Sequence, residues 1–355
     1  MASAGDAARA AEAGARLMTM APMEALAALA VPEGPEWQYE PKWDGFRCIA
    51  FRRGDEVKLQ SKSGQPLGRY FPDIVGALQR VRAKEFVLDG ELVIPVEGDL
   101  SFNELQLRLH PAATRVNMLA AKHPALYIVF DLLTGDLPRR PLSERRAKLE
   151  EFAARNFEGI KGLGLSPATG SLPDARKWLR TMGGGLDGII AKRLDAEYEP
   201  GERSGAVQKI KSLRSADCVV GGFRYATSGK VVGSLLLGLY DDEGLLHHVG
   251  YTSSIAGAEK AALTKKLEAL REQPGFTGRA PGAPSRWSTE RSGEFEPLAP
   301  KLVVEVQYDH FTGGRFRHGT KFLRWRHDKA PSQCLMSQVE HETRSPLGLL
   351  APAAG

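Results

Sequence analysis

Cysteine is scarce in this chain: only Cys48, Cys218 and Cys334 occur among 355 residues, far apart and with no C-x-x-C pair. That excludes a four-cysteine zinc site and fits a reduced, cytosolic protein rather than a disulfide scaffold. Long apolar runs are missing too. The longest, such as LYIVFDLL, are strand-sized and far short of the roughly 20 residues a membrane helix needs, so no membrane partner is expected. The Ala-rich start is interrupted by Asp6, Arg9, Glu12 and Arg16, which leaves it without a signal-peptide core. His247, His248, His310, His318 and His327 lack metal-ligand spacing, and GFRYATSGKVVG lacks both the spacing and the Ser/Thr of a P-loop. No internal repeat is present. Charge is not strongly one-sided either: a net +5 with pI ≈ 9.0 fits a polyanionic partner without demanding one. What remains, 42% hydrophobic and 26% charged residues, is an ordinary soluble composition, and the length suits two or three domains.

Residues 37–131 read mainly as strands: YEPKWDGFRCIAFRRG, EVKLQSKSG, EFVLDGELVI and ALYIVFDLL, each bounded by Gly, Pro or Asp. Helical spacing appears in DIVGALQRVRA, SFNELQLRL, LSERRAKLEEFAARN and DARKWLRTM. The third opens with a capping-box-like Ser143…Arg146 pattern that lacks the Glu, and Gly183-Gly184-Gly185 are expected to end the fourth. LDGIIAKR is a strand again. After Ser212 come the strands DCVVGGFRYA, GSLLLGLYDDEG and LLHHVGYTSS, a helix EKAALTKKLEALREQ, and then KLVVEVQYDHF and RFRHGTKFLRWR. About five strands and one helix in this space suit a small Greek-key barrel such as an OB-fold.

The chemistry starts from Lys42, in the K-x-D-G run of EPKWDGFR. A lysine attacks only as the neutral amine, and desolvation or nearby positive charge favours that form. Downstream follow SKSG (61–64), LDGEL (88–92), VFDLL (129–133), LDGIIAKR (186–193), QKIKS (208–212) and LRWRHDK (323–329). If Lys42 attacks the α-phosphorus of a nucleotide, the developing charge needs fixed cations. Lys209 and Lys211 alternate on a strand and supply two, while Arg326 and Lys329 are candidates for the leaving pyrophosphate. Glu91 and Asp187 offer hard oxygens for a divalent metal. Phe130 can stack on a purine, and Glu40 can reach its exocyclic amine or the ribose. Plainer readings stand beside these: Glu91 and Asp187 as turn residues, Phe130 as core, and the lysine pair on a solvated edge strand.

In order and over roughly residues 20–335, this set resembles the nucleotidyltransferase motifs of ATP-dependent DNA ligases. It is similar to the small bacterial kind, both the ligase module of the bacterial end-joining ligase and its stand-alone actinobacterial relatives (type C). The resemblance implies an α+β fold: an adenylation (nucleotidyltransferase) domain of antiparallel sheets and helices over 19–212, then an OB-fold β-barrel over 213–336. Flexible tails would flank them at 1–18 and 337–355. It implies Lys42 as the carrier of AMP, with Arg47 at the ribose and neighbouring phosphate, Glu91 at ribose or metal, and Phe130 against adenine. Lys209 and Lys211 would hold the α-phosphate, Lys62 would meet the 5′-phosphate of a nick, and Arg326, Asp328 and Lys329 would orient pyrophosphate. ATP and a divalent metal (Mg or Mn) are the implied cofactors. The implied partner is duplex DNA with nicks or ends, bound by a cytoplasmic, nucleoid-associated monomer, with repair proteins such as a polymerase or end-binding protein in trans.

Three positions depart from the pattern. Lys62 stands where these ligases usually carry arginine, which removes bidentate phosphate binding. Asp187 stands where glutamate is usual, and Val207 replaces an aromatic residue before the lysine pair. Two other readings stay open from sequence: an RNA ligase or capping guanylyltransferase, which shares K-x-D-G, and a catalytically idle OB-fold protein that only binds DNA. NAD-dependent ligases fit less well, since they need an N-terminal nicotinamide domain and a four-cysteine zinc module.

Overall fold

The run CIAF at residues 48–51 shows no polar–apolar alternation, which a strand accommodates only when both of its faces are buried. The computed structural model describes residues 19–181, 186–227, 229–282, 294–340 and 345–350. Those up to Lys211, with 345–350, form one compact unit, and those from Ser212 to 340 form a second.

Two sheets build the first unit. One comprises β1 (Glu24–Ala27), β2 (Trp37–Trp43) and two later strands; the other contains β3 (Phe46–Arg53), β4 (Glu56–Ser61), β5 (Glu85–Val93), β6 (Leu126–Leu132) and β7 (Leu163–Leu165). The first is completed by β8 (Leu186–Arg193) and β9 (Arg203–Ile210). Strand orders are β1-β9-β8-β2 and β4-β3-β5-β6-β7. In β3, Cys48 and Ala50 pack with Leu88 and Val129 on one face, while Ile49 and Phe51 pack with Met23, Val87 and Tyr198 on the other. Alternation on a strand therefore feeds two cores, and the second faces the other sheet.

Helices α1 (Pro72–Arg80), α2 (Phe102–Leu107), α3 (Ala113–Lys122), α4 (Leu142–Asn156) and α5 (Leu172–Thr181) complete this unit. Ile74, Leu78, Leu149 and Ala153 from α1 and α4 seal the outer core. Helix α4 starts one residue before Ser143, with Pro141 at its N-cap and no side-chain cap, so the capping pattern expected at Ser143 is not used. The triple glycine 183–185 lies outside the described residues.

The run YEPKWDGFRCIAFRRG, expected as one strand, breaks at Asp44-Gly45 and places its halves in different sheets. The glycine is obligatory there, because a Cβ at position 45 would overlap the Leu92 carbonyl oxygen.

In the second unit β10 (Arg214–Tyr225), β11 (Val232–Tyr240), β12 (Leu246–Thr252), β13 (Val303–Tyr308) and β14 (Lys321–Trp325) form a sheet ordered β12-β11-β10-β13-β14. Helix α6 (Lys260–Glu268) adds Leu267 to its core. The end strands meet only at one parallel bridge between Thr252 and Thr320, so no continuous ladder closes the barrel among the described residues. With the short strand Glu296–Pro297 added beside β10, six strands in all, this is a partly open OB-fold. Val339, inside the stretch expected as a tail, is buried in this core, and Pro346–Leu349 makes a short 3₁₀ turn in the first unit. Among the described residues no helix is long and apolar enough to cross a membrane.

Candidate active site

Between the two sheets of the first unit lies a cavity of about 230 Å³, and alternation decides what faces it. On β2, Glu40 and Lys42 are two apart and share a face; Ile190 and Lys192 on β8 and Lys209 on β9 lie beside them in register. From the opposite sheet come Arg47 on β3 and Glu91 on β5, which are direct cross-strand partners, and Phe130 on β6. Glu40, Lys42, Arg47, Lys62, Glu91, Phe130 and Lys209 thus line one space, whereas Asp187 and Lys211 are not among its lining residues.

Two bulges correct the alternation where it would otherwise fail. Leu186 pairs with Trp43 and Ile189 with Pro41, so β8 carries one extra residue at Asp187-Gly188. That slip returns Asp187 to the side of Lys42, and Gly188 alone tolerates it: φ is +132° and a Cβ would overlap the Ile210 carbonyl. On β6 the pairs Asp89–Asp131 and Gly90–Val129 leave Phe130 as the extra residue. The bulge turns its ring to the cavity, where the Arg47 guanidinium and Lys192 amine sit 4.5 Å and 4.7 Å from its centroid.

The electrostatics centre on lysines. Asp187 contacts Lys42 Nζ with Oδ2 and lies 3.3 Å from Lys211 Nζ with Oδ1, so one carboxylate joins both motifs. Lys209 has its amine held below the ordinary lysine value by burial and then by the charges of Lys42, Arg203, Lys62 and Lys211. Burial pushes the Glu91 carboxyl up to about 7; Arg47 and Lys42 oppose that rise, and Asp44 and Asp89 add to it. Neither cation donates a hydrogen bond to it. No group of three or more His, Cys, Asp or Glu forms a metal cage among the described residues. A desolvated carboxylate without a donor suits a hard cation that takes its other ligands from water and phosphate. Glu91 meets that description, whereas Asp187 presents both its oxygens to lysines.

Other residues join the site without having been expected from sequence. Asp89 takes two hydrogen bonds from Arg47, at 2.6 Å and 2.7 Å, and a third from the Tyr198 hydroxyl at 2.6 Å. Lys192 lies 2.8 Å from Glu40, whose other oxygen accepts from Gln38 Nε2 at 2.8 Å. Glu24, at the cavity rim, holds Lys62 at 2.9 Å and also Arg203. Asp89 stands two before Glu91 in LDGEL, and alternation would have found it, whereas Lys192 shares LDGIIAKR with Asp187 at the opposite parity. Glu24 and Tyr198 have no comparable signal.

Arg326, Asp328 and Lys329 belong to the second unit. Arg326 Nη1 donates to both oxygens of Asp217, at 2.8 Å and 3.0 Å, and its other nitrogens reach Asp328 at 2.9 Å. Lys329 reaches Asp217 at 2.7 Å. Gln338 clamps the Asp217 backbone at 3.1 Å and 3.2 Å. Asp217, largely buried on β10, therefore organises the R-H-D-K run.

Residues 18–211 match the family model for the ATP dependent DNA ligase domain, and residues 228–329 match that for the ATP dependent DNA ligase C terminal region. DNA ligase C2 of Mycolicibacterium smegmatis is 44% identical over 331 residues, which cover 88% of this chain and 92% of that protein. The multifunctional non-homologous end joining DNA repair protein LigD of Mycobacterium tuberculosis is 30% identical over 306 residues, 84% of this chain but 37% of that protein. A solved Lig E DNA ligase structure matches with a TM-score of 0.53 at 17% identity, covering 85% of this chain and 98% of that one, and speaks to fold alone.

Proposed function

Since the chain belongs to the ATP-dependent DNA ligase family, we propose that it seals 3′-hydroxyl/5′-phosphate nicks in duplex DNA through an AMP carried on Lys42. The observation that carries this reading is the Lys42–Asp187–Lys211 chain of contacts, with Lys42 on the cavity wall that faces Arg47, Glu91 and Phe130. Asp187 is the acceptor at hand for the proton Lys42 must lose. Nζ then bonds to the α-phosphorus as the bond to pyrophosphate breaks. Lys209 and Lys211 hold the α-phosphate, where negative charge grows, from positions fixed before the reaction. Phe130 stacks on adenine, Glu40 takes the exocyclic amine while Lys192 and Gln38 fix its rotamer, and Arg47, oriented by Asp89, reaches the ribose. Arg326 and Lys329 orient the pyrophosphate. A divalent cation held at Glu91 would neutralise phosphate charge. AMP next passes to the 5′-phosphate of the nick, and the 3′-hydroxyl displaces it.

A role in DNA repair, cytoplasmic and with partners in trans, is favoured by the likeness to an end-joining relative. Replacing Lys42 by Ala should abolish the labelled adduct formed from α-labelled ATP. An adduct that persists in that variant overturns the assignment.

A further inference from the structure

The chain leaves the first unit after Lys211 and, once the second unit is built, returns to it at residues 345–350. Ser345 Oγ opens the returning segment by accepting from the Leu347 N–H at 3.2 Å, and Pro346–Leu349 makes its 3₁₀ turn. The Gly348 and Leu350 N–H groups donate back to Ser345 and Leu347, at 3.2 Å and 3.0 Å, so the attachment of the segment rests on its apolar side chains. Pro346 is buried, and Leu349 and Leu350 pack onto a cluster of Trp43, Val93, Ile128 and Leu186, with Leu100 and Leu126 beside them.

Every buried member of that cluster adjoins a residue of the candidate active site. Trp43 follows Lys42, Leu186 precedes Asp187, and the two are direct cross-strand partners. Val93 stands two past Glu91, and Ile128 two before Phe130. The Lys42–Asp187 contact has the shortest link to the cluster, one residue along each of two paired strands. The indole N–H of Trp43 also donates to Ser166 Oγ at 2.9 Å, so this side chain is fixed by one polar bond and by the apolar packing around it.

We propose that Leu349 and Leu350 are positioning residues for adduct formation: they clasp the Trp43–Leu186 pair and so hold Lys42 and Asp187 in register. The inference rests on the ligase reading above and deepens it by naming a control on its first step. Both connections of the second unit end at one stretch of β8, since Lys211 meets Asp187 and the returning segment packs in the cluster of Leu186. A chain without the returning segment would carry every motif from Lys42 to Lys329 and still charge slowly with AMP. Misplacing a reacting group by about 1 Å can cost about a hundredfold, so a partial loosening of the pair should slow attack about tenfold.

A plainer role is packing alone, in which the leucines stabilise the first unit and favour no step. The test uses the full chain, freed of AMP by pyrophosphate, with Leu349→Ser and Leu350→Ser combined. Single-turnover adduct formation at rising ATP is measured beside joining of a pre-adenylated nick, which does not need Lys42 as a nucleophile. We expect the maximal rate of adduct formation to fall about tenfold, half-saturating ATP to stay within about twofold, and joining to fall less than about threefold. Leu349→Met with Leu350→Met keeps the apolar volume and should stay within about twofold of the unmodified rate. Equal falls in the two assays, an unchanged rate of adduct formation, or a methionine variant as slow as the serine one would each overturn the proposal. If the serine variant does not fold, Leu350→Ala alone is read by the same ratio of the two rates. Failure of the unmodified protein to label with α-labelled ATP would instead defeat the ligase reading itself.

Discussion

Replacing Glu91 by Gln should make the protein more stable at pH 8 while damaging its activity. Free glutamate titrates at 4.5, and burial moves Glu91 to about 7 in the folded state. Below pH 4.5 both states hold the proton and the shift costs nothing. Between 4.5 and 7 only the folded state holds it, so every unit of rising pH removes up to about 1.4 kcal/mol of stability. Above 7 the loss is complete, at about 3 kcal/mol for a shift of this size. The amide of Glu91→Gln carries no ionisation penalty, so the variant should gain up to about 3 kcal/mol at pH 8 and little at pH 5. Urea unfolding of nucleotide-free, metal-free protein at both pH values measures this. Because the two units can unfold separately, the transition of the first should be followed on its own, through Trp37, Trp43 and Trp178. A gain equal at the two pH values, or a loss at pH 8, would refute the reasoning. Adduct formation should fall in the same variant, the usual exchange when a strained functional group is relaxed.

Two further substitutions probe the scaffolding. Asp217→Asn removes the charge that gathers Arg326 and Lys329, and should slow adduct formation from ATP about 10- to 100-fold, with a smaller effect on sealing pre-adenylated nicks; equal losses in a paired assay would mean that Asp217 serves the second unit as a whole. Gly188→Ala forces a side chain into the Ile210 carbonyl at a positive φ, and should cost about 2–4 kcal/mol in urea unfolding of the first unit. An unperturbed midpoint there would mean that the β8 bulge is not needed to place Asp187.

Much of the cavity was legible because a strand's alternation is arithmetic. Glu40 and Lys42, or Lys209 and Lys211, must share a face once their segments are strands. The arithmetic fails at bulges. Nothing in LDGIIAKR says that Asp187, five before Lys192 and so of opposite parity, reaches Lys42 on the neighbouring strand; the extra residue at Gly188 brings this about. Phe130 is similar, since VFDLL reads equally well as plain core until a bulge turns one ring outward. Helices were legible where their apolar spacing was clean, as in α1 and α4, whereas ATRVNMLAAK, with Val116, Leu119 and Ala120 as its buried stripe, went unread. Pairings over long separations were out of reach. Glu24 meets Arg203 across 179 residues, and Arg47 meets Asp89 across 42. Sequence spacing carries no information about such contacts, because only the folded ladders bring the segments together.

Those long-range pairs also explain how so much positive charge can be assembled before any nucleotide is bound. Lysine and arginine side chains aimed at one point repel one another, and burial raises the cost. In the first unit most are met by a carboxylate: Lys42 and Lys211 by Asp187, Lys62 and Arg203 by Glu24, Lys192 by Glu40, and Arg47 by Asp89; within the second unit Asp217 does the same for Arg326 and Lys329. Lys209 has no carboxylate partner among the described residues, and its amine is held below its ordinary value by burial and the neighbouring cations. The carboxylates thus act as stand-ins for phosphate. Those that only orient a cation, such as Asp89 beneath Arg47, can stay in place through the reaction. On the reading proposed above, Asp187 takes the Lys42 proton and releases Lys211 to the α-phosphate. An exchange of one anion for another leaves the cations where they were, so little reorganisation is needed when substrate arrives, and preorganised charge of this kind is what lowers a phosphoryl-transfer barrier.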